Sequence, residues 1–514
     1  HGFLKDNGNG TWVIGNDVWN MTQDNIYGSK LYYKDKELVG KAAGHYVSYN
    51  GAASNLNWTS AKIVKTGSNY IDVHTLSIVP YLSWGEFRTL WRLDNGTFTN
   101  AYNADKDGVL PPLSEYAVST KIQDETWKTP EGGYLTKYDW SGFVREQEYW
   151  GVYGDNFGSW QHPGKDYFNG DHLKQELMAG DPVQLNMIHG THFQALLNDV
   201  LPKGKIWGPW LWYLNDGDKT DVARQYSNEV NSWPYKWLDD VAYQSRVASL
   251  TGRLVLSDGR PAAGAAVFLG DNHPNKTTLD MGSNYCYTTY ADNDGFFRFT
   301  DVRTGVYALQ AWSNGGSIGD VTTTYLKNDI EVSGSLTTKG RLDKLSWSVP
   351  TSNKIFQIGD FDRRSTGFAY SGDFGAGRVD NCSADLTYTV GNSKDSDWCF
   401  AQNAIGTSRI AFALPASNAT SNALLTVSLA GYSQGTTVNI FANDVRIGNL
   451  SSSGIPSDPS LYRSGTVAGE WHQLEFSIDG GALKAGNSID FRVTSLSSSL
   501  WRGPIYDAIK LEWI

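Results

Sequence analysis

One lysine and one histidine in the region from Leu135 to His192 are of types that can exchange protons near neutral pH. Lys137 stands in the run Leu-Thr-Lys-Tyr, and His192 ends the run Ile-His-Gly-Thr-His. Both runs have the composition of strands and lie among aromatic and glycine residues. A positioned lysine or histidine is a common general base. The pair therefore suggests base chemistry, although a lone lysine is usually a surface residue and a lone histidine often a structural one.

Further polar and aromatic residues near this pair suggest a carbohydrate cleft. Lys174 lies in Leu-Lys-Gln-Glu-Leu, and Trp210 and Tyr213 lie in Gly-Pro-Trp-Leu-Trp-Tyr-Leu. Aromatic rings bind the apolar faces of sugars, but they more often fill a protein core. These three residues are the candidate substrate contacts.

Two arginines supply a local positive charge upstream. Arg88 and Arg92 are four residues apart in Gly-Glu-Phe-Arg-Thr-Leu-Trp-Arg. In a strand this spacing puts both side chains on one face, where they could clamp a carboxylate. A salt-bridged pair on an exposed sheet face is the alternative interpretation.

These residue types match the needs of elimination from a uronate sugar. The proton on C5 becomes removable only when the charge of the C6 carboxylate is neutralised, so cations must lie beside it. A base then takes the proton, and the departing oxygen must be protonated or stabilised. The arginines, Lys137 and His192 could supply these functions.

The chain as a whole has the composition of a multidomain β protein. Its 514 residues favour about three domains, and 54 glycines with short alternating runs favour an all-β fold. The net charge of −11 disfavours nucleic acid as a partner, and an anionic glycan would need a local basic cleft.

The sequence has no apolar run long enough to span a bilayer, so we expect a soluble protein with no membrane partner. The start at His1 without Met is typical of a mature secreted protein.

The pattern of strands and turns predicts three units. Residues 1–243 read as strands separated by Gly, Asn and Asp turns, closing with a helix over 221–238 that Pro234 would kink or end early. Residues 244–341 read as a small seven-strand sandwich, and residues 342–514 as a jelly roll.

Cysteines and acidic residues indicate possible stabilising links. Cys382 and Cys399 could form a disulfide in an oxidising compartment, which would leave Cys286 as a free thiol. Asp360 and Asp507 could supply hard oxygen ligands to a structural calcium, with solvated turn carboxylates as the alternative. Eight N-x-S/T sequons support secretion and glycosylation mildly, because chance would supply several in a chain of this composition.

Several runs together resemble the fungal and plant rhamnogalacturonan lyases of polysaccharide lyase family four, and the resemblance covers essentially the whole chain. The runs are Leu-Thr-Lys-Tyr-Asp-Trp at 135–140, Tyr-Gly-Asp-Asn-Phe-Gly-Ser-Trp at 153–160, Leu-Lys-Gln-Glu-Leu at 173–177, His-Gly-Thr-His-Phe at 189–193 and Gly-Pro-Trp-Leu-Trp-Tyr-Leu at 208–214. The openings of the first unit, at 9–16 and 44–49, and of the third, at 358–368, fit as well.

The resemblance implies a catalytic sandwich, a fibronectin-III-like domain and a jelly roll like carbohydrate-binding modules. It implies a secreted monomer that cleaves rhamnogalacturonan I by β-elimination without a catalytic cofactor. It places the catalytic pair at Lys137 and His192, with His189 as the competing histidine, and the carboxylate-binding arginines at Arg88 and Arg92. A lyase for another rhamnose- and uronate-containing glycan and a non-catalytic carbohydrate-binding protein stay open.

Overall fold

Strands dominate the computed structural model, so the all-β prediction is confirmed. The structure describes residues 1–514 except 25–26, 43, 50–51, 54–59, 69, 77–86, 104–105, 138, 141–147, 163–172, 177–179, 190–205, 207, 245, 274–284, 334–339, 352, 373–375, 416–419 and 458–470. Among the described residues, no helix has the length and apolar character that crossing a membrane requires.

The first unit comprises a series of short strands with three helices. Its elements are β1 (Phe3–Asp6), β2 (Trp12–Gly15), β3 (Trp19–Gln23), β4 (Gly28–Tyr33), β5 (Lys36–Glu37), β6 (His45–Tyr49), β7 (Ala52–Ala53), β8 (Ser60–Thr66), β9 (Ile71–Leu76), β10 (Phe87–Arg92), β11 (Asn100–Tyr102), β12 (Asp107–Val109), α1 (Leu113–Val118), β13 (Thr120–Gln123), β14 (Thr126–Lys128), β15 (Tyr134–Thr136), β16 (Trp150–Tyr153), β17 (Gly158–His162), β18 (Leu173–Glu176), β19 (Asp181–His189), β20 (Leu211–Asn215), α2 (Lys219–Ser232) and α3 (Val241–Gln244).

Two sheets of this unit pack face to face. The larger has the order β1-β2-β3-β4-β6-β10-β19-β18, and the smaller has the order β12-β11-β16-β17-β20. Between them lies a core that includes Leu31, Trp91 and Trp150. The Ser159 hydroxyl of the smaller sheet donates to the side-chain carbonyl of Gln184 in the larger sheet at 2.6 Å. This buried polar link fixes the two sheets against each other, because an unpaired buried amide would be costly.

A separate sheet of three short strands, with the order β13-β14-β15, carries the segment that leads to Lys137. Its own apolar cluster is small: Tyr116 and Leu135 are buried, with Leu113 and Trp127 packed against them. Three strands of three or four residues bury little surface, so contacts from outside contribute to holding this sheet in place.

Helix α2 covers the outer face of the smaller sheet. Asp218 caps its first turn by accepting a hydrogen bond from the backbone N–H of Thr220 at 2.8 Å. The helix ends at Ser232, before Trp233 and Pro234. The expected amphipathic helix is confirmed, and it begins two residues earlier than the pattern suggested and stops ahead of the proline.

The described residues of the second unit form a sandwich of seven strands. They are β21 (Arg246–Leu256), β22 (Ala266–Asp271), β23 (Tyr287–Tyr290), β24 (Phe296–Arg303), β25 (Gly305–Trp312), β26 (Tyr325–Val332) and β27 (Gly340–Trp347). The sheets have the orders β24-β21-β27 and β23-β22-β25-β26. Strand β27 crosses the boundary expected between residues 341 and 342. It pairs with β21 and adds Leu345 and Trp347 to the core of the second unit, so this sandwich extends to residue 347.

The third unit packs two mostly antiparallel sheets around an apolar core of its own. Its strands are β28 (Asn353–Ile358), β29 (Leu386–Thr389), β30 (Gly406–Ala413), β31 (Ala423–Ser433), β32 (Thr437–Ala442), β33 (Val445–Leu450), β34 (His472–Ile478), β35 (Gly486–Ser495) and β36 (Gly503–Trp513). Their orders are β28-β36-β31-β34 and β29-β30-β35-β32-β33. The predicted disulfide between Cys382 and Cys399 is confirmed, with a Cα–Cα distance of 5.8 Å, and Cys286 is buried and outside this disulfide.

Candidate active site

The two predicted arginines lie on one face of β10, near the centre of the larger sheet. Arg88, Leu90 and Arg92 alternate with Thr89 and Trp91, as the two-residue period of a strand requires. Trp91 points into the sandwich, where its ring stacks on Trp212 of the smaller sheet with centroids 4.5 Å apart. The arginines therefore lie on the opposite face of the larger sheet, away from the sandwich core.

Arg92 is oriented by a residue on the neighbouring strand. Its Nε donates to the Tyr46 hydroxyl at 3.2 Å, and Tyr46 is buried, with 6% of its surface exposed. Tyr46, Leu90 and Leu185 form an apolar cluster on this face. A guanidinium set in such a cluster is predisposed to bind a carboxylate, because charge-assisted hydrogen bonds strengthen where water is partly excluded.

The sheet register aligns further predicted residues with the arginines. Arg92 pairs with Val183 of β19, and Val183 pairs on its other side with Lys174 of β18. Directly opposed residues of an antiparallel pair share a face. The backbone therefore places Lys174 in the same cross-strand row as Arg92. Leu185 and Met187 occupy the β19 positions opposite Leu90 and Arg88.

The two candidate histidines come at the end of β19. The last residue of the strand, His189, pairs with Phe87, and the register shifts between Phe87 and Arg88. The backbone of β19 therefore runs alongside Arg92 and Arg88 before it reaches His189. His192 lies outside the described residues, so its role and the choice between the two histidines stay predictions.

Lys137 follows β15 directly and is held by that strand's partner. Its backbone N–H donates to the Glu125 carbonyl at 3.1 Å, and Thr126 and Thr136 join the two strands by a hydroxyl hydrogen bond of 3.0 Å. The Lys137 Nζ lies 3.7 Å from a carboxylate oxygen of Asp124, and 18% of the lysine side chain is exposed. A largely shielded ammonium beside a carboxylate has a restricted position, as a proton-transferring group requires.

The chain beyond Lys137 is anchored to the loop between β11 and β12. The Asn103 amide donates to the Trp140 carbonyl at 3.1 Å, and the Lys106 ammonium donates to the Asp139 carbonyl. The Trp140 ring is buried in the core between the two large sheets. The lysine is therefore fixed on both sides, by a strand before it and by a core tryptophan after it.

The structure does not bring Tyr213 to the arginines. In β20, Trp212 points into the sandwich, so Tyr213 points to the outer face of the smaller sheet. There its hydroxyl donates to Asp221 of α2 at 2.6 Å, and its ring contacts His162. Tyr213 as a substrate contact is a prediction that this geometry does not favour.

Trp210 precedes β20, and its ring lies over Gly208. Gly208 has φ +86°, and a Cβ there would lie 2.6 Å from the Trp210 ring. Only glycine suits both the backbone conformation and the close ring contact. Trp210 as a substrate contact stays a prediction.

Sequence reasoning missed Tyr46 and Asp124, the residues that contact Arg92 and Lys137. Tyr46 lies in a run that looks like an ordinary strand, and Asp124 lies in a turn. Tyr46 reaches Arg92 through the pairing of β6 with β10, which no local pattern reveals, and Asp124 reaches Lys137 through the fold of the three-stranded sheet.

A buried histidine near the arginine strand has a structural role. His45 of β6 packs on Trp91 with ring centroids 4.9 Å apart, on the sandwich side of the sheet. Burial lowers the pKa of His45 to about 4, so the ring is neutral at physiological pH.

The predicted calcium ligands make separate contacts. Asp360 accepts a hydrogen bond from the Gly316 N–H at 2.9 Å. Asp507 accepts from the Ser428 hydroxyl at 2.6 Å and from the backbone N–H groups of Asp362 and Arg364. Burial and the neighbouring Asp362 raise the pKa of Asp507. Among the described residues, no group of three or more His, Cys, Asp or Glu is arranged to hold a metal ion.

Comparison with known proteins finds similar families and chains. Residues 257–339 match the family model "Polysaccharide lyase family 4, domain II", and residues 354–511 match "Polysaccharide lyase family 4, domain III". The chain is 32% identical to a rhamnogalacturonate lyase of Dickeya dadantii over 83% of this chain and 73% of that protein. It is 24% identical to a probable rhamnogalacturonate lyase B of Aspergillus terreus, over 55% of this chain and 46% of that protein.

The chain belongs to polysaccharide lyase family 4. The resemblance read from the sequence is therefore confirmed, and with it the assignment to the lyases. Among solved structures, the major pilin SpaD of Corynebacterium diphtheriae aligns over 52% of this chain and 56% of its own, with 11% identity and a TM-score of 0.17, which carries no argument.

Proposed function

We propose that this chain cleaves the bond between rhamnose and galacturonate in rhamnogalacturonan I by β-elimination. The observation that carries the proposal is the placement of Arg88 and Arg92 on one face of β10, beside the strand that leads to His189. Two guanidinium groups on one face could together bind the C6 carboxylate of a galacturonate residue and neutralise its charge. The names of the family relatives support the same substrate class.

The chemistry of the proposed reaction follows from the sugar. A base takes the proton from C5 of galacturonate, and the electron pair of that bond forms the C4–C5 double bond. The bond between C4 and the glycosidic oxygen breaks, and the departing rhamnosyl oxygen takes up a proton. One fragment ends in an unsaturated uronate and the other in rhamnose, without addition of water.

The arginines have the most clearly defined role in this reaction. Removing the C5 proton builds negative charge on the C6 carboxylate, as in an enolate. Arg88 and Arg92 would neutralise this charge, and preorganised donors of this kind commonly contribute a factor of about 10² to 10³ in rate. Lys174, in the row of Arg92, would add a further cation to the cleft.

Lys137 and His192 are the proposed proton-transferring pair. Lys137 is held by Glu125 and Asp124 in a largely shielded position, which supports a directed role. His192 follows the last residue of β19 by three residues, so the two cannot be more than about 10 Å apart along the chain. The proton that each residue moves stays a prediction, as does His189 as the alternative.

We propose that catalysis uses these side chains without a cofactor. A calcium ion held by Asp360 and Asp507 would be structural, and a fall in the melting temperature on addition of a chelator would support it. The same chelator should leave turnover unchanged at temperatures where the protein stays folded. We further propose that the protein acts as a secreted, glycosylated monomer on pectic polysaccharide.

An absorbance assay tests the proposed function. Rhamnogalacturonan I incubated with the protein should gain absorbance in the band of unsaturated uronates, whereas a polymer of galacturonate alone should not. If absorbance rises only with another glycan that contains rhamnose and a uronate, that glycan would replace rhamnogalacturonan I as the proposed substrate. Binding of rhamnogalacturonan I without any rise, across pH and calcium concentrations, would indicate a carbohydrate-binding protein without turnover.

A further inference from the structure

The three-stranded sheet that leads to Lys137 contacts the third unit at both of its outer strands. On β13, the Gln123 side-chain carbonyl accepts a hydrogen bond from the backbone N–H of Leu500 at 2.9 Å. On β15, the Tyr134 hydroxyl donates to Asp380 at 2.7 Å. The two contacts lie on opposite edges of the sheet, so together they restrain both its translation and its rotation.

Both contact points of the third unit adjoin its packed core. The Leu500 side chain packs against the third core, and Val379, beside Asp380, is fully buried in it. The disulfide at Cys382 closes the chain two residues beyond Asp380. A hydrogen bond to a rigid support restrains its partner more than one to a mobile loop does.

The contact at Gln123 lies close to the proposed base. Gln123 pairs with Thr126, and Thr126 pairs with Thr136, the residue before Lys137. Asp124, the next residue after Gln123, is the carboxylate 3.7 Å from the Lys137 ammonium. A shift of Gln123 would therefore move the paired residues Thr126 and Thr136, which lie beside Lys137. It would also move the Asp124 carboxylate that contacts the Lys137 side chain.

The contact at Tyr134 is a strong one. Burial and the hydrogen bond to Asp380 raise the pKa of Tyr134 to about 12, so the hydroxyl remains a donor at any physiological pH. A hydrogen bond to a charged acceptor is generally stronger than one between neutral groups. The apolar cluster described for this sheet is small, so the contact with Asp380 adds to what holds the sheet in place.

We infer that the third unit positions Lys137 by holding this sheet, which makes Gln123 and Tyr134 positioning residues for the elimination. The inference rests on the proposed function, in which Lys137 moves a proton. Proton transfer needs heavy atoms within about 3 Å, and a displacement of about 1 Å can reduce the rate about 100-fold. The third unit would then contribute to turnover without contacting the scissile bond.

The test compares four variants of the full chain. Tyr134→Phe removes the hydroxyl that donates to Asp380, and Gln123→Ala removes the acceptor for Leu500. Gln123→Glu keeps the acceptor, and the Gln123 Nε2 makes no hydrogen bond to a described residue that the change would remove. Tyr153→Phe is the matched control, because the Tyr153 hydroxyl donates to Asp107 at 2.6 Å on a different sheet of the same unit.

We expect Tyr134→Phe and Gln123→Ala to lower kcat on rhamnogalacturonan I about 10-fold, with KM changed less than about twofold. Gln123→Glu should recover kcat to within about threefold, and Tyr153→Phe should match the wild type. Amide hydrogen exchange over residues 120–137 should accelerate in the first two variants only.

Three results separate the possible failures. Wild-type kcat in Tyr134→Phe and Gln123→Ala, or an equal loss in Tyr153→Phe, would overturn the inference while leaving the proposed function intact. A wild-type protein that does not turn over rhamnogalacturonan I would overturn the proposed function and remove the inference with it. If Tyr134→Phe does not fold, Gln123→Ala and Gln123→Glu carry the comparison on the other strand.

Discussion

Arg92 and Tyr46 are joined across neighbouring strands by a hydrogen bond of 3.2 Å from the arginine Nε to the tyrosine hydroxyl. Because Tyr46 is buried among apolar side chains, it gives the guanidinium a fixed orientation on the sheet face. Bidentate binding of a carboxylate depends on that orientation, since both donors must point at both oxygens. The pair thus links the packing of the sheet to the chemistry proposed for it.

Replacing Tyr46 by phenylalanine should weaken turnover without unfolding the protein. The ring and its packing are kept, and the hydrogen bond that orients Arg92 is lost. We expect kcat/KM on rhamnogalacturonan I to fall about 10-fold, the equivalent of about 1.4 kcal/mol. Tyr32→Phe, at an exposed hydroxyl beside Glu37, is the control and should change kcat/KM little. Equal effects in the two variants would remove the orienting role.

Replacing either arginine should have a larger effect. Arg88→Ala and Arg92→Ala each remove a cation from the face where the uronate carboxylate is proposed to bind, so kcat/KM should fall about 100-fold or more. Arg→Lys at the same positions should recover only part of the loss, because an ammonium cannot bind both carboxylate oxygens in the same way. Steady-state kinetics check this, with Arg224→Ala on exposed helix α2 as the control. Alanine variants with wild-type kinetics would exclude the arginines from the site.

The choice of histidine has a direct test. His192→Ala and Lys137→Ala should each abolish turnover and leave the melting temperature unchanged, while His189→Ala keeps activity. The measurement is the rate of unsaturated-uronate formation together with a thermal melt. Loss of activity in His189→Ala, with full activity in His192→Ala, would move the catalytic histidine to the end of β19.

The shared face of the two arginines could be predicted from the sequence, but the residue that orients Arg92 could not. The four-residue spacing of Arg88 and Arg92 was enough to place them on one face, because a strand has a period of two. Tyr46, the partner of Arg92, comes from a strand about 40 residues earlier, and such pairing is set by the whole sheet.

Unit boundaries and aromatic roles were harder to predict. The alternation through β27 fits the start of the third unit as well as the end of the second, and only its pairing with β21 decides. Tyr213 lies in an aromatic run typical of a sugar cleft, yet strand alternation points it toward α2. Composition indicates what a ring could bind, and packing determines where it faces.

Acid should destabilise the protein through a buried histidine. Burial lowers the pKa of His162 to about 3, and 2% of its surface is exposed. In the unfolded chain its pKa is about 6.5, so below that pH the unfolded state binds a proton that the folded state does not. The contribution of His162 to the free energy of unfolding is therefore fully present above pH ~6.5. It is lost as the pH falls below that value, by up to about 1.4 kcal/mol per pH unit.

His162→Phe should remove this part of the acid sensitivity. Within the part of the chain that the structure describes, neither ring nitrogen of His162 makes a hydrogen bond, so a phenyl ring keeps the packing against Tyr149 and Tyr213. Denaturant unfolding at pH 7 and pH 5 should show a smaller loss in the variant, by about 1 to 2 kcal/mol. Identical losses in the variant and the wild type would show that His162 does not contribute.

The mass of the fragment that carries the new uronate end tests the central proposal most directly. Elimination breaks the bond between C4 and oxygen without consuming water, so this fragment of rhamnogalacturonan I should be unsaturated and lighter by one water molecule than the corresponding hydrolysis product. A saturated fragment, with the mass of the hydrolysis product, would identify hydrolysis and contradict the account.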